Sequence, residues 1–226
     1  GNTLPAEKRV LVERKDASGA SVMETTVYRA DLSGGMKAEE RSRVESSEVP
    51  GGKQSTTVVE VLDLNGGFRM VEKVAAVTAT VAGKEVTTTS VYRAGVSGDF
   101  AEAERRVSEK VDQANGFKES LTEYRTGEAG KLEVSGQKVT VAVRNPDGSS
   151  TSQIAIYGLG GDGKTIDSAK LKLREEQLVT RKPGPDNTVT ESLSMRRPDV
   201  NRPEKAGEFR PVSERVEKVK GERGKQ

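Results

Sequence analysis

One spacing constrains this chain more than any other feature. VYRADLSGGM (27–36), VLDLNGGF (61–68), VYRAGVSGDF (91–100) and EYRTGEAGKL (123–132) recur 32 residues apart. The register holds residue by residue: Met36, Phe68, Phe100 and Leu132 are 32 apart, as are Tyr92 and Tyr124, and Tyr28 precedes Tyr92 by two periods with Glu60 between them. Halfway through each unit stands a second turn signal, at Gly19, Pro50-Gly51-Gly52, Gly83, Asn115-Gly116 and Asp147-Gly148. Turn chemistry thus recurs about every 16 residues, which leaves ~10–12 residues between turns for one strand. Each unit therefore reads as one β-hairpin, and a chain of such units as a repeat protein.

Past residue 158 the register survives with insertions. LKLREEQLVTRKPGPDNTVTESLSMRR (171–197) aligns with 100–126 after about seven extra residues, and FRPVSERVEK (209–218) aligns again after about six more. The expected fold is all-β: a repetitive antiparallel meander of about thirteen strands built from 32-residue hairpin repeats. Its turns fall near residues 33, 51, 66, 83, 98 and 115. The sheet is expected to be elongated or curled, with a closed barrel or ring as the alternative. Residues 1–220 form a single repetitive domain and 221–226 a disordered tail.

One segment has a competing local pattern. DFAEAERRVSEKVDQANG (99–116) offers Asp99 as an N-cap, apolar Phe100, Ala103, Val107 and Val111, and a closing Gly116, all suited to a helix. Its counterpart one repeat earlier, FRMVEKVAAVTATVAG (68–83), is dense in Val and Thr. Equivalent repeats share a fold, so strand is expected for both.

Composition agrees with a sheet under thin hydrophobic cover. Val outnumbers Leu and Ile together, 28 to 15, and there are only four Phe, four Tyr and no Trp. β-Branched residues suit a pleated, half-buried strand. The chain has no His and no Cys, which excludes Ser-His-Asp and Cys-His catalysis and Cys/His zinc sites. An enzyme built on it would have to use carboxylates, Lys, Tyr or Ser. The longest weakly apolar run, 74–82, is far short of the ~20 residues of a membrane helix, so no membrane span is expected. Net charge is +2, although residues 169–226 carry 15 Lys/Arg against 10 Asp/Glu. That balance gives no general attraction to nucleic acid, which is not an expected partner.

Residues 158–165, GLGGDGKT, fit the phosphate-loop pattern G-x-x-x-x-G-K-[ST] letter for letter. A phosphate loop must open a helix whose N-terminal amides face the phosphates. Here Ala169, Leu171 and Leu173 alternate with Lys170, Lys172 and Arg174, a period of two that belongs to a strand. Gly160, Gly161 and Gly163 instead fall where the repeat places a turn. The expectation is an enlarged turn with Lys164 exposed, no nucleotide and no cofactor.

Two repeated series are candidate sites. Glu40, Glu72 and Glu104 stand 32 apart, each followed by a basic residue, Arg41, Lys73 or Arg105. Carboxylates two strands apart lie ~9.5 Å from each other, but catalysis needs two in unlike environments, and a periodic ladder gives each the same one. Cross-strand charge pairing is the expected role. Tyr28, Tyr92 and Tyr124, each followed by Arg (Arg29, Arg93, Arg125), are the candidate surface binding row; they also suit packing beside turns. The basic stretch 196–210 is interrupted by Asp and Glu and has no interleaved aromatic platform, so it reads as a solvated loop.

The YRAxxSG signature, followed by an apolar residue, a charged strand, a central glycine turn and a Thr-rich return strand, resembles the YD/Rhs-type hairpin repeats of bacterial surface and secreted proteins. The likeness covers residues 20–135 best. Long charged strands also resemble the single-layer sheets of bacterial outer-surface lipoproteins. These resemblances imply a non-catalytic extracytoplasmic scaffold or binding module of a bacterial envelope or secreted protein, with a glycan or other envelope component as partner. The alternative is a carboxylate-based glycan-active enzyme or a carbohydrate-binding sheet. A chain starting at Gly1 rather than Met is what processing or recloning leaves, and a periplasmic, cell-surface or secreted location is expected.

Overall fold

The computed structural model describes residues 7–17, 19–31, 34–95, 98–127, 129–159, 171–185, 188–198 and 209–220, with only the backbone of 209 and 218–220. Thirteen strands follow in chain order. They are β1 (Glu7–Lys15), β2 (Ser21–Ala30), β3 (Met36–Val49), β4 (Gly52–Leu62), β5 (Phe68–Val81), β6 (Lys84–Ala94) and β7 (Phe100–Gln113). Then come β8 (Gly116–Thr126), β9 (Leu132–Arg144), β10 (Ser150–Gly158), β11 (Lys172–Pro183), β12 (Thr188–Pro198) and β13 (Phe209–Lys220). All belong to one sheet whose spatial order is the chain order, and each strand runs antiparallel to the next. β1 and β13 lie at opposite edges and do not meet, so the meander is open rather than closed into a barrel or ring.

The strand reading of 99–116 holds: β7 occupies 100–113 and is paired on both sides, to β6 and β8. Pairing with two neighbours outweighs the local helical pattern. Residues 160–165 of the GLGGDGKT match, Lys164 included, lie outside the described residues, as do 221–226. On either side of that segment the described chain is strand, and Gly158 of β10 pairs with Lys172 of β11.

The turns explain why the glycines repeat. At 31–35, 63–67, 95–99 and 127–131 the first residue's amide donates to the fifth residue's carbonyl. The fourth residue's amide donates back to the first residue's carbonyl, at 3.0–3.1 Å. That fourth residue is Gly34, Gly66, Gly98 or Gly130, with φ between 70° and 87°, a left-handed conformation that costs glycine no steric penalty. Asp31 and Asp63 add a carboxylate that accepts from the Gly35 and Gly67 amides. At the opposite end of the sheet, 16–20 and 145–149 repeat this five-residue pattern, and three turns are tighter, two residues each at 50–51, 82–83 and 114–115.

A feature absent from the sequence reading recurs with the turns. The ladder skips one residue in six hairpins: Glu39, Val71, Ala103, Ser135, Arg174 and Val212. Each is a β-bulge, which adds a residue to one strand and reverses the inward–outward alternation beyond it. Phe68 and Glu72 therefore face opposite sides of the sheet, although four residues separate them.

No second layer covers this sheet among the described residues, and apolar burial is correspondingly slight. Among the described residues, Val22, Val27 and Val91 are the buried hydrophobics. Val22 is wholly covered; it lies directly between Arg14 and Glu45. Beside it on the same face the carboxylate of Glu24 meets Arg14 at 2.9 Å and Arg43 at 3.9 Å, and Arg43 also pairs with Glu45. Aliphatic stems of charged residues supply the cover that a second layer would give elsewhere. Val22 is thus covered although the chain has few large apolar residues.

Candidate functional site

Strand alternation decides which of the candidate residues share a surface. Directly opposed residues in antiparallel strands point to the same side. Tyr28 opposes Lys8 and Ala38; Tyr92 opposes Lys73 and Glu102; Tyr124 opposes Arg105 and Val134. Following the pairings from strand to strand puts all three tyrosines on one face. Arg29, Arg93 and Arg125, each one residue further on, lie on the other. The six candidates thus form two surfaces: half-buried tyrosines on one and exposed arginines on its reverse.

The tyrosine face carries a fourth member that the sequence reading missed. Tyr157 opposes Gln137 and Leu173 across the β10–β11 bulge, as Tyr92 opposes Lys73 and Glu102 across the β6–β7 bulge. It lies 33 rather than 32 residues after Tyr124, one residue out of register, and a search allowing a one-residue slip would have found it. Tyr124 lies level with Ser90, two residues short of Tyr92 along β6. Tyr157 is likewise level with Thr122, two short of Tyr124. The row is oblique: given ~4.8 Å between strands and ~3.4 Å per residue, Tyr92, Tyr124 and Tyr157 follow one another about 12 Å apart, and Tyr28 lies about 24 Å from Tyr92 because Glu60 holds the intervening place on β4.

Cations flank the rings. Lys8 Nζ stands 5.9 Å from the Tyr28 ring centre and Lys73 Nζ 5.8 Å from that of Tyr92, while the Arg41 guanidinium lies 3.8 Å from the Phe68 ring. Arg105 lies between Tyr92 and Tyr124 and is fixed by Glu102 at 2.6 Å. Beyond Tyr124, a solvent-open hollow of about 360 Å³ on the same face is lined by apolar Val139, Val141 and Leu178 and by polar Gln153, Glu176 and Arg196.

The reverse face holds the glutamate series. Arg93 bridges Glu72 at 3.3 Å and Glu104 at 2.9 Å, so a residue of the tyrosine–arginine motif joins two members of the glutamate ladder. Arg29 likewise bridges two glutamates outside that series, Glu7 at 3.6 Å and Glu39 at 3.1 Å. Arg197 meets Glu175 at 2.6 Å at the corresponding place on β12 and β11. The basic residues that follow the glutamates in sequence, Arg41, Lys73 and Arg105, face the tyrosine side instead. Charge pairing at Glu72 and Glu104 is therefore cross-strand, as expected, but the shared partner is Arg93, beside Tyr92.

The Glu175 carboxyl, buried at 9% exposure, is held below its usual range by the Gln177 amide and then by Arg197. Glu102 is lowered by Arg105, then by the Ser90 hydroxyl. Glu7 is lowered by Arg9, and Asp147 by the Ser149 hydroxyl and amide. Among the described residues no group of three or more carboxylates is placed to hold a metal ion, and no helix is long and apolar enough to cross a membrane.

No protein-family model matches the chain, and no curated protein matches it. A solved structure similar to it is that of a protein of unknown function from Bacteroides fragilis. The two share 9% identity at a TM-score of 0.36, over 75% of this chain and 91% of that one. A likeness that slight carries no argument about fold or function.

Proposed function

We propose that the chain is a non-catalytic binding module or scaffold of a bacterial envelope or secreted protein, which holds an extended glycan along its tyrosine face. The observation that carries this reading is the oblique row of Tyr28, Tyr92, Tyr124 and Tyr157, half-buried at their bases, open to solvent, and flanked by Lys8, Lys73 and Arg105. Tyr92, Tyr124 and Tyr157, which repeat at one step on an open face, suit a ligand that itself repeats, since each unit meets a similar subsite and weak contacts add, and Tyr28 lies two steps further along the same line. Aromatic faces provide stacking area at little entropic cost. Glu102 and Glu175 are poor general acids, which need a raised pKa, since Arg105 holds the first and Gln177 with Arg197 the second below the usual range. An extracytoplasmic setting is supported by the resemblance of the repeat to those of bacterial surface proteins.

Affinity electrophoresis against a panel of soluble polysaccharides and peptidoglycan fragments tests this. Retardation by at least one polymer is expected. Replacing Tyr92 and Tyr124 together by Ala should weaken it about tenfold or more, as loss of central aromatic contacts does, while Arg125→Ala, on the reverse face, should leave it unchanged. Indifference to every polymer, or retention of full affinity by the double variant, would sink the proposal.

A further inference from the structure

The two edges of the sheet differ. β13 carries Pro211, which has no amide to donate, and a bulge at Val212; both are devices that discourage a further strand from pairing. β1 has neither. Its nine residues pair with β2 without a register shift, its outer side is unpaired in this sheet, and Leu11 and Val12 are 55% and 48% exposed. A regular edge bearing exposed apolar residues is a template for another strand.

The order of residues in β1, EKRVLVERK, says which strand. Set antiparallel to itself about Leu11, it places Glu7 against Lys15, Arg9 against Glu13, Val10 against Val12, and Leu11 against Leu11. Two opposite-charge pairs on each side flank an apolar centre. The remaining pair, Lys8 against Arg14, is like-charged, but each cation has a partner in its own sheet: Arg14 meets Glu24 at 2.9 Å and Lys8 lies over the Tyr28 ring. Glu13 and Lys15 make no ion pair among the described residues, and the residues they would face, Arg9 and Glu7, meet each other at 2.8 Å at the exposed edge.

Registers shifted by two residues lose the match. One sets Glu7 against Glu13 and Arg9 against Leu11; the other sets Arg9 against Lys15 and Leu11 against Glu13. Like charges directly opposed destabilise a strand pair. A two-fold axis normal to the sheet also requires opposed residues to share a face. Alternation satisfies this, because Glu7, Arg9, Leu11, Glu13 and Lys15 lie on one side and Lys8, Val10, Val12 and Arg14 on the other.

We propose that β1 pairs antiparallel with β1 of a second copy of this chain, about a two-fold axis at Leu11, joining two thirteen-stranded sheets into one. The contact is isologous and closes on itself. With β13 guarded by Pro211 and its bulge, the product is a dimer and not a filament.

Sedimentation equilibrium of the full chain should give twice the 24.3 kDa of one copy at high concentration. Arg9→Glu and Glu13→Arg, each alone, oppose like charges twice per dimer and should leave the chain monomeric, with an unchanged circular dichroism spectrum. Mixed in equal amounts, the two variants regain both opposite pairs and should form a heterodimer. A wild-type chain that stays monomeric overturns the proposal. So does a dimer that both single variants retain, a mixture of folded variants that fails to associate, or a mass that climbs past two copies, which would show the β13 edge pairing as well. Association with an unrelated strand-forming peptide in preference to a second copy would likewise refute the choice of partner.

Discussion

Gly52 and Gly116 stand two repeat lengths apart and each begins a strand after a two-residue turn. Neither has a positive φ, so backbone freedom is not what they supply. They supply room: a Cβ on Gly52 would overlap the carbonyl oxygen of Thr78, and one on Gly116 that of Ala142, in the strand that lies beside them. Backbone cannot yield as a side-chain tip can, so Gly116→Ala is expected to cost about 1–3 kcal/mol. Gly67→Ala meets only the Asp63 carboxylate, at 3.8 Å, and should stay within about 0.5 kcal/mol of wild type. Urea denaturation of the two variants distinguishes them, and equal losses would refute the close-approach argument. Lys84 occupies the corresponding place between the two glycines because the turn before it differs: Ala82 and Gly83 both have positive φ.

That turn sets the prediction at the level of the element. With φ of 50° at Ala82 and 77° at Gly83, the β5–β6 hairpin closes in a type I′ turn, for which Asn-Gly is the preferred pair and a Cβ-bearing Ala is strained. Ala82→Asn should stabilise the protein by about 0.5–1 kcal/mol, read as a raised urea midpoint at unchanged slope; a lowered midpoint would contradict the turn assignment. The hairpins were legible in the sequence because each turn needs particular residues, and Gly34, Gly66, Gly98 and Gly130 announce a backbone conformation that few other residues adopt. The bulges were not legible. Glu39, Val71, Ala103, Ser135, Arg174 and Val212 share no side-chain property, since a bulge here is a matter of count and not of chemistry. Without the bulges the faces cannot be assigned across a hairpin. The glutamate ladder was thus found in sequence, but Arg93 and Arg197 as its partners were not. Asn115-Gly116 was read as a turn pair, whereas the turn is Ala114-Asn115 and Gly116 is already strand.

Among the described residues each strand meets essentially only its neighbours in the chain, as in a linear array of repeats, and stability is then close to a sum of nearest-neighbour terms. Strands with two partners should outlast those with one. Native-state hydrogen exchange is expected to show protection highest in β5–β8 and falling toward β1 and β13, with opening progressing inward from the edges. Uniform protection across the thirteen strands would show instead that the sheet opens as a single cooperative block. The number of strands carries a further consequence. Because thirteen is odd, β1 and β13 run in the same direction, and the chain enters the sheet at one corner and leaves it at the diagonally opposite one. One unit contributes two strands, an even number. A chain lengthened or shortened by whole units would widen or narrow by about 9.5 Å per unit while the parity of its strands, and with it the direction of travel at both borders, stayed the same. Size is in this design a free variable, decoupled from what either border offers to a neighbour.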